Sequence, residues 1–563
     1  MTLTTISRRP DVQDREPSRA PKHRLPRWRA TARQVASVLA FVLVYLALVI
    51  PNELVQVTPG ALLRIPLEAV VGVLLVLVLP ARARRAVAGI AGALLGVLTL
   101  VRVLDMGFSL VLARRFDPVF DWAALANAVT FLSDSIGRVA AIAVAAGTAV
   151  VAVALVIGMA LAAMRLTTLV GRYRSAATRA VPVVAVAWVT CFVLGAQIVT
   201  PVPVAAWGTA SLAVRTAAQV PTTLANHQEF TAQQAAPDPF AGVPPSSLLT
   251  GLAGKDVVLT FVESYGRSAV EHPELAPQID AVLDAGTQRL AAAGYSARSA
   301  FLTSPTTGGG SWLAHSTLLS GLWVTNQHDY VSLTGSDRLT LTRAFQGADW
   351  RTVGVMPGVT YDWPEAGFYG IDQVHDTHNL GYRGTSFTGF HTPDQYTLSA
   401  FERLEHGPEH PPLMAEIPLV TSHWPWAPTP QLVDWNAIGD GSVYNPMADD
   451  GDPVEVIWSD PSRVRAAYAG SIEYSLSSLI SYVETYGDDN LVLVFLGDHQ
   501  PAPVVTGNSA NRDVPITIVA KDPAVLDQVA GWGWESGLNP GAQAPVWRMD
   551  AFRDRFLTAF SSR

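Results

Sequence analysis

Residues Asp256–Val262 read DVVLTFV, and Glu263-Ser264-Tyr265-Gly266 follow them directly. A continuous run that is mostly apolar and rich in β-branched residues is typical of a strand buried on both faces. Such strands belong to parallel sheets whose two faces are covered by helices. The stretch therefore predicts an α/β domain, with the carboxylate of Glu263 at the carboxyl end of a buried strand.

The sequence around this strand alternates between strand and helix patterns. Further strands are predicted at Ser299–Leu302, Thr352–Met356, Ala415–Val420, Leu491–Leu496 and Val514–Val519. Helices are predicted at Leu275–Gly294, at about Ser311–Leu319, at Arg463–Thr485 and at Pro545–Phe560. The alternation favours a mostly parallel central sheet covered by helices, over residues 251–563. Sheets of this kind bind ligands at the carboxyl ends of their strands.

The first part of the chain has the pattern of a membrane domain. Five apolar stretches are long enough to span about 30 Å of hydrocarbon, and they are Val35–Ile50, Ala61–Leu79, Ala86–Val101, Val139–Met164 and Ala180–Val199. We therefore predict a basic cytoplasmic tail at 1–33, a five-helix transmembrane domain at 34–200 and an extracytoplasmic linker at 201–250. Within this linker, the Ala-, Gln- and Pro-rich stretch Gln228–Ser247 is expected to have little regular structure. The complete fold class is a multi-span α-helical membrane domain followed by the α/β domain.

Charge is distributed unevenly between the two parts. Residues 1–250 carry 22 Lys and Arg against 11 Asp and Glu, and residues 251–563 carry 17 against 36. Because basic loops stay on the cytoplasmic side, the nine basic residues of the tail predict a cytoplasmic N-terminus. Five spans then predict an extracytoplasmic C-terminal domain of a plasma-membrane protein. The acidic domain argues against nucleic acid as a partner.

Composition limits the class of protein further. The 563 residues are 49% hydrophobic and 15% charged, whereas soluble globular proteins carry about 25% charge. An ordinary cytosolic enzyme is therefore disfavoured, and a disordered or collagen-like chain is excluded. The single cysteine, Cys191, excludes an internal disulfide framework, a thiolate zinc site and an iron–sulfur cluster.

Two predicted strands end in side chains that bind metals. Glu263 follows the first strand, and Asp498-His499 follows the strand Leu491–Leu496. Taken singly, the Glu is explained by a helix cap and the Asp-His pair by a turn. Parallel strands bring these ends to one edge, where two carboxylates and an imidazole suit Mn²⁺, Mg²⁺ or Zn²⁺. We expect one divalent ion there, with Mn²⁺ favoured.

A glycine-rich segment precedes one predicted helix and supplies a hydroxyl. Residues 305–311 read PTTGGGS, and Gly310 and its neighbours leave backbone N–H groups accessible to an anion. Ser311 begins the helix, where the helix dipole and a nearby metal ion favour an alkoxide. A simple turn with a serine cap explains the segment equally well without the metal set. Thr306 and Thr307 are alternative nucleophiles.

These motifs resemble the alkaline phosphatase/sulfatase superfamily over residues 256–520, in particular its membrane-anchored branch with lipoteichoic acid synthase and phosphoglycerol transferases. The resemblance includes the five-span organisation and the segment Leu318-Leu319-Ser320-Gly321, which ends ten residues after Ser311 as in that family. It implies that Ser311 is the nucleophile. It also implies one metal ion, bound by residues that match the family's ligands: Glu263, Ser311, Asp498 and His499.

Other matches to the family are less complete. His423-Trp424-Pro425 matches a His-x-Pro segment, which implies that His423 lies near the transferred group. Trp363 matches a substrate-binding Trp, but Glu365 stands where phosphoglycerol transferases have Arg. Ser311 replaces the Thr usual in this branch, and the residues after it lack the x-Pro-x-Arg pattern of formylglycine sulfatases. The departure at Glu365 weakens the case for glycerol phosphate as the substrate.

The sequence therefore predicts a metal-dependent phosphotransferase that acts at the outer membrane face on a lipid-linked or cell-envelope phosphoester, through a serine intermediate. His423 is its candidate acid, and Gly310, Trp363 and Trp424 are candidate substrate contacts, although Trp424 also suits a rigid packed loop. Expected partners are the lipid bilayer, a membrane lipid donor and an envelope glycan or lipid acceptor. The alternatives are a sulfatase-like or phosphodiester hydrolase and a catalytically inactive envelope-binding protein.

Overall fold

A computed structural model describes residues 27–52, 57–112, 114–122, 125, 129, 133, 137–199, 202–360, 362–387, 392–507 and 511–562. Residues 1–26 of the predicted basic tail lie outside the described residues. The chain forms two compact units, one made of Met1–Leu100 with Ala146–Leu212 and one made of Val101–Ala145 with Ala213–Arg563. The predicted fold class is confirmed, because apolar helices are followed by an α/β domain with a mostly parallel sheet.

Among the described residues, five apolar helices come first. They are α1 (Arg27–Val49), α2 (Leu67–Val78), α3 (Ala81–Leu112), α4 (Arg138–Arg172) and α5 (Arg174–Val193). Helices α1, α3, α4 and α5 are long and apolar enough to cross a membrane, and in the most apolar window of α4 only 6% of the residues are buried. Apolar surface on this scale needs a cover of lipid, as expected for a membrane domain.

The second predicted span is shorter than its apolar stretch. Within Ala61–Leu79, a 3₁₀ turn (Gly60–Leu63) and a two-residue strand β1 (Ile65–Pro66) come before α2. Pro66 has no N–H for the helix ladder, so α2 begins only after it. Its 12 residues reach about 18 Å, against about 30 Å of hydrocarbon. The orientation predicted from five spans therefore stays a prediction.

The predicted linker at 201–250 is mostly a helix. The expectation of little regular structure at Gln228–Ser247 is wrong for residues 228–235, which belong to that helix. Short strands β2 (Gln197–Val199), β3 (Val202–Pro203) and β4 (Ala205–Ala206) lead into α6 (Gly208–Ala235), which has 28 residues. Phe230 is buried in a core of the α/β domain, and Gln233 bonds the backbone N–H of Trp323. Ala and Gln are good helix formers, and these tertiary contacts order the segment.

The α/β domain contains thirteen further helices among the described residues. They are α7 (Ser268–Glu271), α8 (Ala276–Ala292), α9 (Ser311–Ser320), α10 (Gln327–Thr334), α11 (Leu341–Gly347), α12 (Ala366–Tyr369), α13 (Asp394–Leu404), α14 (Asn445–Ala448), α15 (Val454–Ile457), α16 (Pro461–Tyr486), α17 (Pro503–Thr506), α18 (Pro523–Gln528) and α19 (Phe552–Phe560). The predicted last helix begins late, because residues 546–548 form a strand and Met549–Ala551 a 3₁₀ turn.

Nine strands of this domain form one sheet. They are β5 (Asp256–Val262), β6 (Ser296–Thr303), β7 (Arg351–Met356), β8 (Gln373–Asp376), β9 (Leu413–Leu419), β10 (Leu491–Gly497), β11 (Asp513–Ala520), β12 (Glu535–Ser536) and β13 (Val546–Arg548). The order is β12-β6-β11-β10-β5-β9-β7-β8, and β13 pairs with β6. Strands β10, β5, β9, β7 and β8 are parallel neighbours, whereas β11 is antiparallel to β10 and β6.

The central strands are buried on both faces, as their sequences predict. All seven residues of β5 and all seven of β10 are buried. Alternate residues of β5 contribute to two separate apolar cores, with Leu259 in one and Val258 in the other. This double burial fixes the register of the parallel strands, because a slip by one residue would exchange the two faces. The register in turn fixes which strand ends meet.

Candidate active site

The register of the parallel strands aligns the predicted site residues. Val262 at the end of β5 pairs with Gly497 at the end of β10 and with Leu419 at the end of β9. Glu263, Asp498 and the segment that leads to His423 therefore leave the sheet at the same edge. The three strand ends selected from the sequence lie side by side.

Glu263, Asp498 and His499 form a cluster whose candidate ligand atoms lie within 4.8 Å of one another. His499 Nε2 is 3.4 Å from Glu263 Oε1 and 3.6 Å from Asp498 Oδ2. The Asp498 and His499 side chains are each 1% exposed. The structure thus brings together all three residues that the sequence proposed as metal ligands from the sheet edge.

Hydrogen bonds orient both ligands from β10. The backbone N–H groups of Ser264 and His499 each donate to Asp498 Oδ1 at 2.7 Å. Asp498 Oδ2 is buried and has no hydrogen-bond partner among the described residues. His499 Nδ1 lies 2.9 Å from the carbonyl oxygen of Gln500, so Nδ1 carries the proton and Nε2 presents its lone pair to the cluster.

Ser311 completes the cluster from a different element. Its Oγ donates to Glu263 Oε2 at 2.9 Å and lies 3.3 Å from His499 Nε2. Gly308, Gly309 and Gly310 precede it with φ values of 73°, 146° and 82°, which L-residues rarely adopt. This backbone turns β6 into α9 so that Ser311 is the first residue of the helix. The backbone N–H of Ser311 lies in the first turn of α9, whose N–H groups lack acceptors within the helix ladder.

The electrostatics of the cluster favour a bound cation. Burial opposes the ionisation of Glu263, but His499, His423 and the hydrogen bond from Ser311 lower its pKa to about 2. Burial and the charge of Glu263 raise the pKa of Asp498 to about 6. Burial disfavours the charged form of His499, yet Asp498 and Glu263 raise its pKa overall. The carboxylates of Glu263 and Asp498, whose candidate ligand atoms lie within 4.8 Å, repel each other when both are ionised. A cation bound between them would offset this repulsion.

The donor set and its spacing fit a divalent ion. Ligand atoms about 2.1 Å from a tetrahedral ion are about 3.4 Å from one another. The distances from His499 Nε2 to Glu263 Oε1, Asp498 Oδ2 and Ser311 Oγ are 3.4, 3.6 and 3.3 Å. The unpaired Asp498 Oδ2 is explained if it serves as a ligand atom. Glu263, Ser311, Asp498 and His499 would therefore hold the ion.

A cavity of about 170 Å³ opens beside this cluster. It contains Ser311 and His423, so the structure places the predicted acid and the predicted nucleophile at one cavity. The residues that line it are Phe261, Glu263, Ser311, His315, Met356, Gly358, Val359, Pro418, Val420, His423 and Asp498. The surroundings of the acidic and imidazole groups are mostly apolar, which strengthens electrostatic interactions inside the cavity.

His315, for which its position four residues after Ser311 predicts core packing, lines this cavity and pairs with Glu416, which the sequence analysis missed. The His315 ring stacks on Phe261 with centroids 3.7 Å apart, and its Nδ1 is 3.2 Å from Glu416 Oε1. Glu416 is 2% exposed inside β9, and its Oε2 has no hydrogen-bond partner among the described residues. The available signals were the four-residue spacing from Ser311 to His315, which suits one helix face, and a carboxylate inside an apolar strand.

The two candidate tryptophans do not line this cavity. Trp363 is partly buried against an apolar core, with its ring centroid 5.7 Å from that of Tyr369. Trp424 is 39% exposed, and its ring meets Trp458 edge to face at 5.6 Å. Trp363 therefore has a packing role in this structure, whereas Trp424 remains on the surface next to His423. Gly310 lies directly before Ser311, as predicted.

No protein-family model and no curated protein matches this chain. Among solved structures, one match is the integral membrane lipooligosaccharide phosphoethanolamine transferase A from Neisseria meningitidis, at 13% identity and a TM-score of 0.39, covering 92% of this chain and 95% of that one. Another is the lipoteichoic acid synthase LtaP from Listeria monocytogenes, at 15% identity and a TM-score of 0.35, covering 54% and 71%.

A third match is the Streptococcus pyogenes phosphoglycerol transferase GacH in complex with sn-glycerol-1-phosphate, at 13% identity and a TM-score of 0.35, covering 60% of this chain and 91% of that one. The matches include both groups that the sequence motifs resemble. At these identities and TM-scores, the chemistry of this chain has to be argued from its own side chains.

Proposed function

We propose that this chain is a divalent metal-dependent phosphotransferase that works through a covalent intermediate on Ser311. The observation that carries the proposal is the position of Ser311 Oγ, 2.9 Å from Glu263 Oε2 and 3.3 Å from His499 Nε2. A hydroxyl held against candidate metal ligands, at the start of a helix and beside a cavity, has the surroundings of an activated nucleophile.

The residues around Ser311 have separable roles in the proposed reaction. A divalent ion bound by Glu263, Ser311, Asp498 and His499 would stabilise the serine oxygen as an alkoxide and offset the negative charge of a phosphoryl group. Ser311 begins α9, and free backbone N–H groups at the start of a helix would suit phosphoryl oxygens. Ser264 donates its hydroxyl to Glu263 Oε1 at 2.9 Å and thereby holds the carboxylate in place.

The reaction proceeds in two displacements at phosphorus. Ser311 Oγ attacks the phosphorus atom, a Ser311–phosphorus ester forms, and the bond to the first alcohol breaks. His423 or His315, both at the cavity, donates the proton that this alcohol takes away. A second alcohol, or water, gives up a proton to the same imidazole and attacks the ester, which restores Ser311. An alcohol acceptor makes the enzyme a transferase, and water makes it a hydrolase.

The size of the cavity and the apolar helices support a membrane-associated phosphoester as the substrate. A volume of about 170 Å³ is below the range of about 300–1,000 Å³ in which whole small-molecule ligands are enclosed. It suits a phosphoryl group whose substituents remain outside. A domain tethered to helices of spanning length meets lipid-linked donors at high effective concentration. We therefore assign a lipid donor and an envelope glycan or lipid acceptor, on the outer face.

Trapping the intermediate tests the chemistry. Purified full-length protein is quenched during turnover of a phospholipid in mixed micelles, an aryl phosphodiester or an aryl sulfate, and its peptides are analysed by mass spectrometry. A phosphorus-containing adduct on Ser311 that requires Mn²⁺ and disappears in Ser311→Ala is expected. Thr307→Ala, which removes a nearby exposed hydroxyl, is the control and retains the adduct.

Other outcomes of that experiment have defined meanings. Turnover restricted to the aryl sulfate would replace the proposal with a sulfatase-like hydrolase. Undiminished turnover in Ser311→Ala would eliminate the covalent mechanism. A protein that neither binds a divalent ion at Glu263 and Asp498 nor turns over any of these esters would be an envelope-binding protein.

Labelling with a membrane-impermeant maleimide tests the orientation. In a Cys191→Ser background, a cysteine replacing Asp452, which is 60% exposed in the α/β domain, should react in intact cells. A cysteine replacing the exposed Ser175 in α5 is the matched control and should react only after lysis. The opposite pattern would place the catalytic domain in the cytoplasm.

A further inference from the structure

A second cluster of metal-binding side chains lies at the opposite edge of the sheet. Asp256 is the first residue of β5, and His406 and His410 lie in the loop between α13 and β9. Their candidate ligand atoms lie within 4.8 Å of one another. Glu263 stands seven residues further along the strand, roughly 23 Å away at about 3.3 Å per residue. The two clusters therefore cannot share an ion.

His406 is oriented as metal-bound histidines are. Its Nδ1 lies 2.8 Å from Glu402 Oε2, and the hydroxyl of Tyr482 donates to the same carboxylate oxygen at 3.0 Å. A carboxylate at Nδ1 fixes the proton there and leaves the Nε2 lone pair for a metal ion. Histidines that bind zinc usually have such a partner at their other ring nitrogen. The His406 side chain is only 4% exposed.

The Nε2 atom of His406 points to the other two members of the cluster. It is buried, without a hydrogen-bond partner among the described residues, and it lies 3.9 Å from Asp256 Oδ2. His410 Nδ1 is 3.7 Å from Asp256 Oδ1 and 3.0 Å from the carbonyl oxygen of Pro411, and the two imidazole centroids are 4.9 Å apart. A buried polar atom without a partner needs an explanation, and an ion between these three groups provides one.

The backbone holds the carboxylate in position for such an ion. Asp256 is 4% exposed, and its Oδ1 accepts the N–H of Leu413 at 3.0 Å, where β9 begins beside β5. Glu402 and Asp256 thus place two carboxylates around two imidazoles in a nearly closed site. His410, at 17% exposed, forms the side of the cluster that water can reach.

We propose that Asp256, His406 and His410 bind a structural Zn²⁺ ion that is separate from the catalytic centre. Two imidazole nitrogens and one carboxylate oxygen suit Zn²⁺, whereas Mg²⁺ and Ca²⁺ prefer sites made only of oxygen atoms. The ion joins the loop before β9 to the first residue of β5. It therefore stabilises the pairing of the two central strands, because it binds only the folded chain.

Zinc stoichiometry tests this site independently of the catalytic one. The full-length protein carries Glu263→Gln and Asp498→Asn, which removes the ion of the proposed active site, and it is stripped with chelator and dialysed against Zn²⁺. We expect one equivalent of Zn²⁺ per chain. Adding His410→Gln, at the accessible side of the cluster, should weaken binding by roughly tenfold or more and lower the retained zinc towards zero.

A surface histidine provides the matched control. His378 is 66% exposed, and His378→Gln in the same background should retain the full equivalent. Co²⁺ should give the visible absorption of a tetrahedral site in the background protein, and His410→Gln should lose it, while circular dichroism confirms that all variants are folded. Equal zinc content with and without His410→Gln would overturn the proposal and leave His406 as a protonated residue shared by Glu402 and Asp256.

Discussion

Replacing Asp498 by Asn should stabilise the metal-free protein, although it should abolish metal binding. Burial and the charge of Glu263 raise the pKa of Asp498 from 3.8 to about 6. At about 1.4 kcal/mol per tenfold change in proton affinity, this difference amounts to about 3 kcal/mol. An Asn removes the charge but keeps an oxygen for the two backbone N–H groups that bond Oδ1.

The size of this stabilisation depends on pH. The folded protein holds the Asp498 proton more tightly than the unfolded chain does. The free energy of unfolding therefore falls as pH rises from about 4 to about 6. Above that range, the ionised Asp498 lowers it by the full amount of about 3 kcal/mol. Asp498→Asn should thus raise the melting temperature of chelator-treated protein by several degrees at pH 8 and have little effect at pH 4.

Added metal should reverse this order of stability. Wild type gains about 3 kcal/mol when the ion is present at 100 times its Kd, whereas Asp498→Asn should gain almost nothing. The assay is differential scanning fluorimetry at pH 8, with chelator and with Mn²⁺. Asp394→Asn is the control, because Asp394 is another buried carboxyl whose pKa burial raises to about 6. It should retain the full response to metal.

Either of two results would contradict the predicted effects of Asp498→Asn. A metal-free Asp498→Asn protein that is less stable than wild type at pH 8 would show that the two carboxylates do not repel each other. A response to Mn²⁺ equal to that of wild type would show that Asp498 is not a ligand.

His315→Gln removes the imidazole paired with Glu416. It should leave the metal content unchanged and lower kcat by about 10²-fold, as expected when a proton donor is lost. If kcat is unchanged with each substrate, His423 is the residue that transfers the proton. Metal affinity, measured by titration calorimetry, should rise with pH through about 6, where Asp498 loses its proton, and should level off only after His499 has lost its proton too, because the pKa of His499 is raised above its usual 6.5. A flat profile from pH 5 to 8 would contradict the assigned ligands. Gly310→Ala should destabilise the protein by about 1–2 kcal/mol and displace Ser311, because Gly310 has a φ of 82° and the new Cβ would lie 3.2 Å from Thr306 Oγ1. Denaturant unfolding and activity assays measure the two effects. Gly470→Ala, a helix position with open space around its Cβ, is the control.

The central strands and the positions of Glu263 and Asp498 at one edge of the sheet were predictable because one physical rule determines both. A strand buried on both faces has a continuous apolar run, and β5 has the bounds predicted from DVVLTFV. The first polar residues after such runs stand at the sheet edge, which identified Glu263 and Asp498. The glycine segment offered Ser311, Thr306 and Thr307 as candidate hydroxyls, and Ser311 was selected by the resemblance in its spacing to Leu318-Leu319-Ser320-Gly321.

The features that were missed depend on contacts between distant parts of the chain. Helix α6 has a composition that suits both a linker and a helix, and the burial of Phe230 decides between them. His315 gains its place at the cavity from Phe261 and Glu416, which lie 54 and 101 residues away. The cluster of Asp256 with His406 and His410 also arises only when β5 and β9 pair. Local sequence patterns do not contain these distances.

Anomalous diffraction from the full-length protein crystallised with Mn²⁺ tests the central claim most directly. One strong Mn²⁺ peak is expected at the carboxyl edge of the sheet, within bonding distance of Glu263, Ser311, Asp498 and His499. A peak elsewhere, or an ion that leaves Ser311 Oγ outside its coordination sphere, would contradict the assignment of this serine as the activated nucleophile.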